Sequence, residues 1–156
     1  MLMRFRLFQE LKSSIIFNMH TNLILLAGGS SSRMKKEITT EILTEKQRTE
    51  ANKRSKGLIT IGNSNRPFLD FLLLNAQKAG YTNIYMVIGE EGALFRELYG
   101  VHKHSDFKNL NILFATQYIP KNRQKPLGTA DAVWQTIEQF PELNTQSYTI
   151  CNSDNL

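Results

Sequence analysis

The run Asn22 to Ala27 (NLILLA), closed by Gly28-Gly29, constrains this chain more than any other segment. A strand with one wet face alternates apolar and polar residues. A short run without alternation is what a strand covered on both faces looks like. Such a strand needs apolar elements above and below it, and the downstream sequence supplies them. Pro67 to Ala79 places Phe68, Leu69, Leu72, Leu73 and Ala76 at helical spacing, with Pro67 to open the helix and Gly80 to end it. Asn83 to Ile88 is a second β-type run, closed by Gly89, and Asn111 to Ala115 a third. Thr129 to Phe140 puts Ala132, Val133, Ile137 and Phe140 on one stripe ahead of Pro141, and Ser147 to Cys151 reads as a fourth strand. Strands alternating with helices imply βαβ units: an α/β fold with a mostly parallel sheet and flanking helices. Ligands of such sheets sit at the carboxyl ends of the strands. The unusual residues of this chain, Gly28 to Met34 and Asn152 to Leu156, stand at those ends. Trp134 and the phenylalanines read as core, and Cys151 as buried and inert.

Composition narrows the class. At 156 residues, 41% hydrophobic and 21% charged, the chain suits one globular domain rather than two or a disordered segment. No apolar run is long enough for a transmembrane helix. The single cysteine excludes an internal disulfide, so the reducing cytoplasm is the expected compartment and no membrane partner is expected. A net charge of +5 favours anionic ligands, phosphates among them. Eight basic residues fall between Arg33 and Lys56 with no interleaved aromatic, which argues against a nucleic-acid partner. Residues 1–18 lack a continuous apolar block and a small-residue cleavage site. They read as an N-terminal extension ahead of a domain spanning 19–156, with an amphipathic targeting helix as the alternative.

The loop Leu26 to Met34 (LAGGSSSRM) carries the chemistry. Glycines and serines after a buried strand let backbone N–H groups converge on phosphate oxygens. Arg33 adds a planar, fixed positive charge. Neither G-x-x-x-x-G-K-[ST] nor G-x-G-x-x-G is matched. Without a ligand, the same residues are a Gly/Ser turn.

Leu26-Ala27-Gly28-Gly29-Ser30-Ser31-Ser32-Arg33-Met34 resembles the L-A-[AG]-G-x-[GS]-x-R-M opening of the sugar-phosphate nucleotidyltransferases, the NDP-sugar pyrophosphorylases. Four more segments resemble that family in its order: Lys56-Gly57-Leu58, Arg66-Pro67-Phe68-Leu69, Pro126-Leu127-Gly128-Thr129-Ala130-Asp131-Ala132 and Asn152-Ser153-Asp154-Asn155. The resemblance implies a Rossmann-like fold and a Mg²⁺-dependent reaction. In it a sugar-1-phosphate or similar small phosphate attacks the α-phosphorus of a nucleoside triphosphate and releases pyrophosphate. By that resemblance Leu26, Ala27, Gly28, Gly29, Ser30, Gly128 and Thr129 bind nucleotide. Arg33 holds the leaving phosphates, Lys56 stands near the α-phosphate, and Asp154 binds Mg²⁺.

Other readings of these residues stand beside that one. Thr129 suits an N-cap with Asp131 in the first turn. His102 and His104 read as surface loop rather than as a metal pair. The sequence also departs from the family: Ser153 stands where the metal loop has glycine. Pro126 stands where many members carry a base-reading Gln, which leaves the base open. The polar insert between Arg33 and Lys56 is longer than expected and suits a lid. The chain stops two residues after Asp154, so the expectation is a nucleotide-binding half of a larger enzyme or a truncated product. A non-catalytic nucleotide-binding or regulatory module is the alternative function, and self-association as a homo-oligomer is left open. A Rossmann dehydrogenase is disfavoured, because no acidic residue ends the second strand after a matching glycine pattern.

Overall fold

The computed structural model describes residues 21–29, 56–61, 66–100 and 105–154. Four parallel strands form the main sheet: β1 (Asn22–Leu26), β4 (Asn83–Gly89), β5 (Asn111–Gln117) and β6 (Tyr148–Asn152), in the order β5-β4-β1-β6. A separate antiparallel ribbon joins β2 (Thr60–Ile61) to β3 (Arg66–Pro67). Helix α1 (Phe68–Lys78) connects the ribbon to β4, α2 (Ala93–Tyr99) lies between β4 and β5, and α3 (Thr129–Gln139) lies between β5 and β6. This is the expected α/β fold with flanking helices, and the strands and two helices fall within one or two residues of their sequence positions.

Side chains alternate across the central strands, as strand geometry requires. Leu23, Leu25, Ile84, Met86 and Ile88 face one layer, where Leu69, Leu72, Leu73 and Ala76 of α1 and Phe95 and Tyr99 of α2 meet them. Ile24, Tyr85, Val87 and Ala115 face the other, against Ala132 of α3 and Leu143 of the short 3₁₀ turn after it. Crossovers between parallel strands keep one hand. The chain steps outward through β4 and β5, then returns to the far side of β1, so α3 is carried to the opposite face from α1 and α2. β1 is thereby covered on both faces, as its unbroken apolar run demands.

Each of β1, β4 and β5 begins with asparagine, and the three are in register, Asn22 with Asn83 and Asn83 with Asn111. Their amides form a ladder: Asn111 Nδ2 donates to Asn83 Oδ1 at 3.3 Å, and Asn83 Nδ2 to Asn22 Oδ1 at 2.9 Å. Asn22 Nδ2 then donates to Gln146 Oε1 at 2.9 Å, just ahead of β6. A one-residue slip would break every rung while turning apolar side chains to the wrong face.

α1 ends with Gly80 N–H donating to Gln77 O and Tyr81 N–H to Ala76 O, the paired closure expected of a helix stopped by glycine. Under α1, Asp70 is 2% exposed and accepts a 2.7 Å hydrogen bond from Tyr99 Oη. Arg66 stands between Asp70, with Nε 3.7 Å from Oδ2, and the carboxylate of Asp106.

Among the described residues, β5 ends the sheet on its side. Gln139 of α3 donates to Thr116 O and accepts from Thr116 N–H, both at 2.9 Å. Gln135, one turn earlier, does the same at Tyr118, at 3.1 and 2.8 Å. Two side-chain amides thus satisfy backbone groups that an edge strand leaves open.

Two expectations about the core fail. Trp134 is 64% exposed. At 100° per residue it lies about 200° from Ala132 and Thr136, which face the sheet, so it points to solvent. Cys151 is half-buried rather than buried, because β6 has no strand beyond it among the described residues. Its thiol pKa is raised, first by desolvation and then by the charge of Asp154. Phe95 and Phe107 are buried, and Phe114 and Phe140 pack partly buried against the two clusters. Helix α2 and the β2–β3 ribbon were not anticipated. No helix among the described residues is long and apolar enough to cross a membrane.

Candidate functional site

The strand order reverses at β1. From there β4 and β5 lie to one side and β6 to the other, the arrangement in which parallel α/β sheets leave a crevice at the carboxyl ends of the strands. Two backbone hydrogen bonds fix its walls. Ala27 N–H donates to Val87 O at 2.8 Å, and Ser153 N–H to Leu26 O at 3.1 Å.

Gly28 follows within van der Waals range of the end of β4. A Cβ there would stand 2.8 Å from Gly89 N and 3.0 Å from Ile88 C, both backbone atoms, so only glycine fits. Among the described residues, Gly29 has nothing within 4 Å of such an atom, and it is exposed. The glycine pair divides its work: the first lets the loop lie on the sheet, and the second leaves its backbone open to a ligand.

Above this crevice is a cavity of about 520 Å³. Leu26, Val87 and Ala132 contribute apolar wall, while Gly28, Gly29 and Asn152 come from the strand ends. Opposite them stand Gly128 and Thr129, which begin α3, with Lys125 and Pro126 before them. Gly128 has φ 120° and ψ −165°, a conformation essentially confined to glycine, and it turns the chain sharply into the helix. It occupies the N-cap position and no side chain caps the helix. Thr129 is therefore the first helical residue, not the N-cap the sequence suggested. Asp131 is in the first turn as expected, but its carboxylate is engaged laterally. Gln117 Nε2 donates to Asp131 Oδ2 at 2.8 Å and to Gly128 O at 3.0 Å, and Gln135 Nε2 donates to the same Asp131 oxygen at 3.0 Å.

Electrostatically the cavity suits an anion. The first N–H groups of α3 have no intrahelical acceptor and carry the positive end of the helix dipole. Lys125 stands in the wall, and Lys121 and Arg123 are exposed on the same loop.

Five residues expected to bind nucleotide, Leu26, Gly28, Gly29, Gly128 and Thr129, line this one cavity. Ala27 lies buried between Leu26 and Gly28. Lys56 opens a 3₁₀ turn, Lys56–Leu58, whose Gly57 packs against the turn after β6: a Cβ on Gly57 would stand 3.7 Å from Ser153 Cβ. Asp154 is exposed in that turn, two residues past Asn152 and outside the cavity wall. Ser30, Arg33, His102, His104 and the 1–18 extension lie outside the described residues. Among the described residues no three His, Cys, Asp or Glu side chains cluster to hold a metal.

Sequence reasoning missed Gln117, because it closed the third strand at Ala115. The signal was present as a lone amide at the carboxyl end of an apolar run.

No protein-family profile matches the chain, and no curated protein matches it in sequence. Solved structures do match its fold. One is the inositol-1-phosphate CTP transferase from T. maritima, with a TM-score of 0.52 at 14% identity, over 88% of this chain and 44% of that one. The chain thus spans less than half the length of that neighbour.

Proposed function

We propose that this chain carries the nucleotide site of a Mg²⁺-dependent nucleotidyltransferase that joins a nucleoside triphosphate to a sugar-1-phosphate or similar small phosphate. The observation that carries the reading is the convergence of Gly28–Gly29, Gly128–Thr129 and Asn152 on one cavity at the point where the strand order reverses. The activity named for the T. maritima neighbour supports the same kind of reaction and suggests CTP and inositol-1-phosphate as first substrates to try.

In this reading the apolar wall takes the base, and the open backbone at Gly29 and the first N–H groups of α3 take phosphate oxygens. The acceptor's phosphate oxygen bonds to the α-phosphorus as the bond to the β-phosphate bridging oxygen breaks, and pyrophosphate leaves. The protein's contribution is alignment and neutralisation of charge. Lys56, at the turn beside Ser153, is assigned to the α-phosphate and Arg33 to the leaving phosphates. A single exposed carboxylate, Asp154, does not make a metal cage, but it fits Mg²⁺, which is commonly held by one or two carboxylates together with substrate phosphates and water. Bound there, Mg²⁺ would supply charge neutralisation on the triphosphate.

A test is the melting temperature of the full chain with CTP, ATP, UTP and GTP, with and without Mg²⁺. It is paired with a pyrophosphate-release assay using inositol-1-phosphate or glucose-1-phosphate. Ligand at a hundredfold over Kd adds about 2.7 kcal/mol, several degrees of melting temperature. No shift with any triphosphate from a cooperatively melting chain would sink the proposal. A shift without pyrophosphate release favours the second reading, a nucleotide-binding module without turnover, for which the supporting observation is that no three His, Cys, Asp or Glu side chains cluster among the described residues.

A further inference from the structure

We infer that the loop from Tyr118 to Leu127, with Trp134 beside it, is a docking surface for bilayers that carry anionic lipid. The inference stands apart from the reading of the cavity as a nucleotide site and is tested without nucleotide.

The loop has a defined shape. Gln117 Nε2 donates to Gly128 O at 3.0 Å across its two ends, and Arg123 N–H donates to Pro120 O at 2.8 Å in its head. Ends held together below a protruding head make an Ω-loop. Residues 121–125 and 127–130 are all exposed. The head carries Lys121, Arg123 and Lys125, and no acid occurs from Gln117 to Ala130. Among the described residues none of these cations is in an ion pair. Asp131, in the first turn of α3, already accepts from Gln117 and Gln135.

Large apolar side chains flank the charges in the open: Tyr118 is 55% exposed, Leu127 51% and Trp134 64%. Tyr118 and Trp134 are neighbours, because Gln135 is tied through both amide atoms to the backbone of Tyr118. Leu127 stands at the neck of the loop, next to Gly128. Lys125 reaches the cavity wall, but Tyr118, Lys121, Arg123, Leu127 and Trp134 are not part of it.

Cations flanked by tryptophan, tyrosine and leucine suit the interface of a membrane. Lys and Arg meet anionic headgroups, amphipathic rings settle at headgroup depth, and an aliphatic tip reaches the acyl boundary. A single strand of nucleic acid also takes cations and aromatics. It is tracked by a groove, however, and Leu127 has no π-face on which a base can stack. A protruding head meets a flat bilayer more readily. The lack of a long apolar helix among the described residues excludes a span there, not contact of this kind. Charge and apolar tips together give reversible docking rather than anchoring.

The experiment sediments the full chain with vesicles of phosphatidylglycerol mixed with phosphatidylcholine, and with vesicles of phosphatidylcholine alone. Trp134 is the one tryptophan of the chain, so its emission reports on this surface directly. At low salt the chain is expected to sediment with the anionic vesicles, with Trp134 emission shifted to the blue, and to be released by high salt. With phosphatidylcholine alone it should stay in solution. Lys121→Gln with Arg123→Gln removes two cations outside the cavity wall. That pair should weaken binding to the anionic vesicles by roughly thirtyfold while melting like wild type. Leu127→Ser should also weaken it. Absence of sedimentation overturns the inference. So does sedimentation that is equal on both kinds of vesicle, unmoved by the double substitution, or without a change in Trp134 emission. Tighter binding to a single-stranded oligonucleotide than to the anionic vesicles overturns it in favour of a nucleic-acid surface.

Discussion

Adjacent glycines with opposite surroundings allow a sharp prediction. At Gly28, an alanine methyl would be placed 2.8 Å from Gly89 N, 3.0 Å from Ile88 C and 3.2 Å from Ile88 Cα. None of these atoms can swing aside as a side-chain terminus could. They belong to β4, which is held between β1 and β5 and buried on both faces. Ordinary contact needs several tenths of an ångström more. The loop must therefore lift off the strand, straining the Ala27 N–H to Val87 O bond just before it. Overpacking of this kind costs about 1–3 kcal/mol. For a chain of this length that is roughly 3–10 °C of melting temperature. Gly29→Ala, one residue on, meets nothing within 4 Å among the described residues and is expected to leave stability within about 0.5 kcal/mol. Urea unfolding of the two variants beside wild type is the assay, with m-values checked for constancy. Equal stability of Gly28→Ala and wild type, or equal losses at both positions, would refute the claim that the loop lies on the backbone of β4.

Other outcomes follow from described contacts. Tyr99→Phe deprives the buried Asp70 of its 2.7 Å donor and should cost about 1–3 kcal/mol in urea unfolding, whereas Trp134→Ala, on an exposed side chain, should cost little. Burial first, then the hydrogen bond to Asp70, raises the Tyr99 pKa, and burial followed by Glu142 raises that of Tyr85. Both keep their protons in the fold where the unfolded chain, near the ordinary value of 10.0, releases them. Stability should therefore be unaffected by these groups below about pH 10 and fall above it, less steeply in Tyr99→Phe; urea midpoints at about pH 9 and about pH 11 check the sign. Asp154→Asn should leave the unliganded melt unchanged and abolish the Mg²⁺-dependent part of any nucleotide shift. Gln135→Ala with Gln139→Ala exposes the backbone of Thr116 and Tyr118, and sedimentation should show a larger mass at high concentration than wild type.

In the parallel sheet β1 and β4 were legible because burial on both faces leaves a period-free apolar run, while β5 and β6, only partly buried, were legible as short apolar runs between turn residues. The helices that pack on the sheet by a full stripe, α1 and α3, were legible because their apolar residues recur at the helical period. Helix α2 was not. Seven residues carry too few turns for a period to emerge, and only Phe95 and Tyr99 of it are buried. Trp134 misled because its size suggested core, while its angular position on α3 decided otherwise. Of the site, the two glycine turns announced themselves through composition. The Gln117–Asp131–Gln135 relay did not, since it depends on α3 folding back along β5 and joins residues up to eighteen positions apart, from Gln117 to Gln135. Residue type alone gave no reason to pair an amide at a strand end with an acid in a helix.

The two borders of the sheet are not equivalent, and that asymmetry gives it a direction of growth. On the β5 side, the glutamines of α3 already occupy the outward N–H and C=O groups of Thr116 and Tyr118, so an incoming strand would have to displace them. On the β6 side, among the described residues, no such stopper stands, and Ile150 is left 47% exposed in the middle of the strand. A further strand, whether from this polypeptide or from another, thus has one berth. Taking it would extend the sheet away from β5, cover Ile150, and build onto the turn that carries Asp154, next to the mouth of the crevice.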